Sequence, residues 1–422
     1  MDEKRPSIGR KGSESEMSDM DIFGFGNPLI DVVTRVNDDF LAKYNLGKNA
    51  TVLAEPNHEA IFDEFVDQSA EDLDIDYMPG GTIQNALRYT QWIVGKNNPV
   101  ANYIGAVGDD YYGKLLQKKV KQEDGLGVRY KCVPDMATGT SVILCSADGK
   151  TKSVVTNLGA SRKFDNHYLM SNFWFCERAR LVLTSGHMLA VCSNAVMFTA
   201  KHCQEWGKDF VFNIGASYVT NRFKRELNTL MPYIDFLFCN SDEAQAYAAI
   251  NGYNSQDIRE IAKMLASEPK MSYKNANIPN HYKSQRTVIV TQRDNQPVLV
   301  ASSLSDEVDE YPVPELSNDE FKDTVGSGDA LIGGFLAMYI DGRTVDECIR
   351  CGLYCAAECC KQIGCVLPPM MTFKPEDDSY VNNNNVIKTN DSKTNHNSIN
   401  EEEEEDNEDE EEEEYEEKEV YA

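Results

Sequence analysis

Short apolar runs recur along this chain, separated by longer stretches with helical periodicity. Ile22–Gly26, Val100–Ile104, Arg180–Thr184, Phe210–Ile214, Phe236–Cys239 and Thr287–Thr291, followed by Val298–Val300, are dense in β-branched and aromatic residues and read as strands. Ala190–Trp206 and Ser255–Ala266 carry apolar residues at helical spacing instead. Nearly continuous apolar strands alternating with helices predict an α/β fold. Its mostly parallel, doubly wound sheet is flanked by helices on both faces. Residues 31–80 and 129–157 break this rhythm and read as extended. Asp148-Gly149, between Ser141–Cys145 and Ser153–Thr156, is a hairpin signal. These two regions predict a small separate β-sheet, a lid over the main one.

Ligands of open α/β sheets bind beyond the carboxyl ends of the strands. Polar residues and glycines gather there: Asn27 and Asp31, Gly186, Asn213 and Gly215, Asn240, and Gln292. Asp323-Thr324-Val325-Gly326-Ser327-Gly328-Asp329 runs into Ala330–Met338, which is apolar on every side and reads as a buried helix. Gly326, Ser327 and Gly328 then stand at its N-terminus, where backbone N–H groups and the helix dipole favour an anion. Asp329, in the first turn, is placed to take a proton from a hydroxyl attacking phosphorus. Phosphoryl transfer is the chemistry this arrangement predicts.

Charge and composition narrow the alternatives. The formal charge of −28 is uneven: residues 401–422 hold sixteen acidic residues and one lysine, leaving −13 for residues 1–400. An acidic body is a poor match for nucleic acid or an anionic membrane. No apolar run reaches membrane-spanning length, and the polar N-terminus carries no secretory leader pattern. A cytoplasmic protein is expected. Residues 1–20 read as a disordered arm, 21–370 as the folded body, and 371–422 as a disordered acidic tail. Such a tail is a solvated, self-repelling segment, with a basic protein as its conceivable partner. Among twelve cysteines, Cys348, Cys351, Cys355 and Cys359 follow one helical face beside Leu353, Ala356 and Ile363. They read as small buried apolar residues. Gly108-x-x-x-x-Gly113-Lys114 imitates a nucleotide-binding loop but ends in Leu115, where magnesium needs Ser or Thr. Gly24-Phe25-Gly26 lacks the third glycine of a dinucleotide fingerprint.

Four segments together carry a family likeness: Gly26-Asn27-Pro28-Leu29-Ile30-Asp31, Gly80-Gly81-Thr82-Ile83-Gln84-Asn85, Pro232 to Asn240 leading to Glu243, and Asp323 to Asp329. The body resembles the ribokinase-like (PfkB-type) carbohydrate and nucleoside kinases, and among them most of all the adenosine kinases. The resemblance implies Mg-ATP as donor, a nucleoside 5′-hydroxyl as acceptor, and a monomer serving purine salvage. By the same resemblance Asp31 holds the ribose 2′- and 3′-hydroxyls, with Asn27, Gly80, Gly81 and Asn85 supporting the sugar. Asp329 is the base, and the amides of Gly326, Ser327 and Gly328 hold the migrating phosphoryl group. Asn240 and Glu243 organise magnesium through water rather than as direct ligands. Thr291 lies near ATP, and Lys152 reaches the phosphates from the lid.

Several positions depart from the family's pattern. Val325 removes a polar side chain beside the phosphate loop. Thr291-Gln292-Arg293 lacks a glycine turn, and Lys152 replaces an arginine. His187 and Met188 stand where adenine-stacking phenylalanines belong, leaving Tyr218 as one aromatic wall. These departures keep two alternatives open, a catalytically impaired relative acting as a binding or assembly module, and a related sugar kinase.

Overall fold

The protein is described by a computed structural model that covers residues 21–65, 77–146, 151–274 and 285–374. The expected N-terminal arm, the Asp148-Gly149 turn and the acidic tail beyond residue 374 lie outside the described residues. Fourteen strands occur among them, in two sheets: β1 (Ile22–Phe25), β2 (Leu29–Arg35), β3 (Thr51–Leu53), β4 (Tyr77–Gly80), β5 (Ala101–Gly108), β6 (Gly127–Val133) and β7 (Thr140–Cys145). They continue with β8 (Lys152–Asn157), β9 (Leu181–Ser185), β10 (Asp209–Asn213), β11 (Phe236–Asn240), β12 (Thr287–Thr291), β13 (Val298–Ser302) and β14 (Val308–Tyr311).

The large sheet has the order β14-β13-β12-β11-β10-β9-β1-β5-β6. Its pairings are parallel from β12 through β6, and only β13 and β14 run antiparallel at one edge. Side chains alternate across a strand, and the two faces use that alternation. Leu183, Val211, Phe236, Phe238 and Ile289 enter one apolar cluster, which holds residues of the helices Thr82–Val94, Ser327–Ile340 and Val345–Cys360. Val182, Phe210, Phe212, Leu237 and Val290 enter the other, with the helices Leu189–Trp206, Ser241–Asn251 and Ile258–Ser267. Cys348, Cys351, Cys355 and Cys359 are fully buried on the helix Val345–Cys360. A Cβ at Gly334 would strike the Cys351 backbone and the Cys355 sulfur, so these small side chains let two helices pack closely.

The small sheet has the order β3-β8-β7-β2-β4. Val142, Leu144 and Val155 pack on one face against Leu41 and Ile61, from the helices Asp38–Lys43 and Glu59–Phe65. Residues 31–80 were expected to be extended, and these two short helices correct that. Six or seven residues make too little helical period to stand out from a strand. Gly127–Val133 is a second correction. It was grouped with the lid, yet it pairs along β5 at the edge of the large sheet. Its half-exposed, mixed pattern is what a strand with a single neighbour shows. Ser141–Cys145 and Ser153–Thr156 do pair antiparallel, as β7 and β8. No helix among the described residues is long and apolar enough to cross a membrane.

Candidate active site

Strand order reverses about β1, which has β9 on one side and β5 on the other. A crevice opens at the carboxyl ends of strands around such a point. Here the chain leaves β1 through Asn27-Pro28 directly into β2 of the lid, so the crevice is roofed by the small sheet. Asp31 lies in β2 opposite Met78 and Ser141 and is 6% exposed. Gly80 is needed beside it: an added Cβ would overlap the whole Asp31 carboxylate. Gly81 has φ +96°, and a Cβ there would meet the Asn27 carbonyl. The paired glycines therefore make room for Asp31 and turn the chain into the helix Thr82–Val94.

Asn85, in that helix, donates from Nδ2 to Asp329 Oδ2 at 3.2 Å. Asp329 is the third residue of Ser327–Ile340, whose N-cap is Gly326 at φ 77°, ψ 0°, with no side chain capping the end. The half-buried Asp329 carboxylate thus stands in the first turn of a helix whose end no side chain caps. One of the three expected amides is engaged, since Ser327 N–H closes a turn on the Thr324 carbonyl at 3.3 Å. Burial pushes Asp31 up to about 7, helped by repulsion from Asp329, while Arg88 and Lys152 pull it down. Burial likewise pushes Asp329 up to about 6, against the Asn85 hydrogen bond and the charges of Lys152 and Arg88. Two carboxylates that feel each other share one cationic surrounding.

The lid and the glycine loop touch directly. Lys152 Nζ donates to the Thr324 carbonyl at 2.7 Å. Val325 is buried against Ile143 and Cys145 of β7, so its side chain packs into the lid sheet. The apolar residue that departs from the family pattern is a lid contact. Beneath the loop, Asp323 accepts from Val325 N–H at 2.7 Å and from Gly364 N–H at 2.9 Å. Asp323 was legible as part of the motif, but its buttressing role was not.

Farther along the rim, Asn240 and Glu243 form a reciprocal cap on the helix Ser241–Asn251. Asn240 Oδ1 accepts from Glu243 N–H at 2.9 Å, and Glu243 Oε2 accepts from Asn240 N–H at 3.0 Å. Glu243 Oε1 accepts from Asn240 Nδ2 at 2.9 Å. Burial raises Glu243 to about 7, opposed by backbone bonds from Asn240 and Gly215. Thr291 ends β12 opposite Asn240, and Arg293 pairs with Asp242.

On the lid side, Tyr218 lines a cleft with Leu46, Val52, Leu53 and Asn57. Its hydroxyl is 2.9 Å from His187 Nδ1, and burial holds that histidine down at about 4, so it is neutral at physiological pH. Met188 does not join this cleft. It is fully buried in the apolar cluster with Ile214 and Val219, a correction to its expected place against the substrate. Adjacent residues of a tight turn point in different directions, and here the histidine took the outward one. The imitation nucleotide loop is structural too: Asp110 caps the helix Tyr111–Gln117 through Gly113 N–H at 2.8 Å and binds Thr138. Sequence reasoning also passed over Arg88, a buried cation one turn beyond Asn85. Its only signal was a lone charge in an apolar helical run.

Residues 53–372 match the pfkB family of carbohydrate kinases. The chain belongs to that family. Within the pfkB kinases, it is 31% identical over 360 residues to adenosine kinase 1 of Arabidopsis thaliana, covering 84% of this chain and 99% of the relative. Adenosine kinase 2 of the same plant is 30% identical, over 83% of this chain and 97% of its own length. Among solved structures, adenosine kinase of Anopheles gambiae, in complex with a di(adenosine-5) tetraphosphate, superposes with a TM-score of 0.74 at 35% identity. That match covers 82% of this chain and 96% of the other. Schistosoma mansoni adenosine kinase, in complex with 2-fluoroadenosine, gives 0.74 at 29% identity over 82% and 97%. The ribokinase-like fold expected from the sequence is therefore the one observed.

Proposed function

We propose that Asp329 is the general base in an ATP-dependent phosphorylation of the 5′-hydroxyl of adenosine, yielding AMP. The activity follows from adenosine kinases about 30% identical over most of both chains. The residue roles rest on one observation: Asp31, Asn85 and Asp329 meet at the uncapped end of a buried helix.

Asp31 accepts from the two ribose hydroxyls, and a carboxylate serving both discriminates against a sugar lacking one. The Oδ1 atom of Asn27 is buried with no partner among the described residues, which fits a ligand hydroxyl completing it. Tyr218, fixed by His187, supplies an aromatic wall for the base. Asp329 then takes the 5′-hydroxyl proton as the γ-phosphoryl group moves onto that oxygen. The amides of Gly326 and Gly328, with the Lys152 charge, receive the phosphoryl oxygens.

Asn240 and Glu243 would hold the waters of a magnesium ion arriving with ATP, which would supply neutralisation of phosphate charge. Glu243 already accepts three hydrogen bonds, and a carboxylate offers about four acceptor sites. It fits a water-mediated role beside Asn240 and not direct ligation. Thr291 lies on the ATP side of the rim in this reading. The protein acts as a cytosolic monomer in purine salvage, and a basic protein is the partner whose charge complements its acidic C-terminal sequence.

The test is steady-state phosphorylation of adenosine by the wild type and by Asp329→Asn. The variant should fold normally and lose on the order of a thousandfold or more in kcat, as removal of a positioned base and its charge implies. Wild-type turnover in a folded Asp329→Asn protein would remove Asp329 from the mechanism.

A further inference from the structure

Arg88 lies 3% exposed among Ala86, Leu87 and Tyr89, which are fully buried. A guanidinium in such surroundings persists only where its donors are satisfied. Its Nε donates to Asp124 Oδ2 at 2.5 Å. NH1 donates to Asn85 Oδ1 at 3.0 Å, to the Cys365 carbonyl at 3.0 Å and to the Pro79 carbonyl at 3.3 Å. Two of these partners lead to the reacting centre. Asn85 is the residue that donates to Asp329. Cys365 packs under Gly326, where an added Cβ would strike its side chain.

The chemistry of the two side chains sets the direction of the contact. Arginine has donors only, so it must face the oxygen of the Asn85 amide. That turns the NH2 group toward Asp329. Released from Arg88, the amide is free to rotate and present its oxygen to the carboxylate, replacing an attraction with a repulsion. A lysine in this position keeps the charge but has one nitrogen, which cannot span Asp124 and Asn85 together.

We infer that Arg88 is a positioning residue for phosphoryl transfer, aiming Asp329 through the Asn85 amide while bracing the glycine loop through the Cys365 carbonyl. This rests on Asp329 being the base. The groups facing Asp329 are Asn85, Arg88, Lys152, Asp31 and Cys365, so removing the Arg88 charge also leaves Asp329 harder to ionise.

Arg88→Met and Arg88→Lys are compared with wild type and with Asp329→Asn, by adenosine phosphorylation across roughly pH 5–9 and by circular dichroism. Misplacing a reacting group by ~1 Å costs about a hundredfold. Arg88→Met should lose about that much in kcat with less than a threefold change in KM for adenosine, and its acidic limb should move to higher pH. Arg88→Lys should lose about tenfold in kcat with the acidic limb in place, because the charge remains. A folded Arg88 variant with unchanged kcat and unchanged acidic limb overturns the inference. So does a loss explained wholly by fewer active molecules, with KM and pH limb unmoved. If the methionine variant does not fold, the lysine variant decides by kcat per active molecule, with active molecules counted from the single-turnover burst. An inactive Asp329→Asn protein beside wild-type Arg88 variants sinks only the role of Arg88. An active Asp329→Asn protein removes the base itself.

Discussion

Gly80→Ala isolates what Asp31 does without touching its charge. A Cβ at residue 80 would stand closer than 3.0 Å to the Asp31 carboxylate, far inside van der Waals contact. Parting the two strands would break the β2–β4 ladder, in which Leu29 pairs with Gly80 and Asp31 with Met78. The carboxylate must swing out of the sugar position instead. A hydrogen bond to a charged group contributes ~1.5–3 kcal/mol, so losing two costs ~3–6 kcal/mol. Retaining some reach at the displaced position favours the lower half, ~3–4 kcal/mol, or about a 150- to 1,000-fold fall in kcat/KM for adenosine. The decisive readout is a ratio. Wild type should prefer adenosine over 2′-deoxyadenosine by on the order of a hundredfold or more. Gly80→Ala should bring the two substrates within about threefold, mostly by losing adenosine activity. A folded variant that still discriminates as wild type does would refute the claim that Asp31 reads the ribose hydroxyls.

Three further outcomes follow from the same geometry. Asp329 at about 6 and Asp31 at about 7 both act as carboxylates, so kcat/KM should fall as pH drops through about 7 to 6, and a slope steeper than one would show both protonating. Because both values stand above the ordinary 3.8, the free folded protein binds more protons than the unfolded chain between about pH 4 and 7, and it loses stability as pH rises across that range. Asp31→Asn should therefore raise Tm at pH 8 by several degrees, bounded by ~4 kcal/mol, with no gain near pH 4. A lower Tm at pH 8 would contradict this. Lys152→Met removes the tie from the lid to the Thr324 carbonyl and a cation near both carboxylates. It should cut kcat about tenfold or more, with Lys152→Arg retaining most activity. Equal rates in all three proteins would dismiss the lid contact as incidental.

Much of the fold was legible because parallel strands are buried on both faces and so appear as unbroken apolar runs. Phe236–Asn240 and Thr287–Thr291 were read almost to the residue for that reason. Gly127–Val133 was misplaced because an edge strand, half exposed, looks like any amphipathic strand. The short helices Asp38–Lys43 and Glu59–Phe65 were hidden by their length. Asp329 and its glycines could be found in the sequence because a buried helix, a glycine loop and a carboxylate are contiguous. Met188 could not be separated from His187 by pattern, since only the turn geometry decides which neighbour faces inward.

The sequence by itself determined the alternation of strands and helices, the glycine loop opening a buried helix, and the placing of Asp329 in that helix's first turn. These are local consequences of polarity, side-chain volume and backbone freedom, and they act over a few residues. Tertiary structure alone decided that Asn85 meets Asp329 across 244 residues, that Val325 packs into the lid, and that Arg88 is held between Asp124, Asn85 and Cys365. Such contacts depend on how close packing brings remote backbones together, and no spacing along the chain encodes those distances.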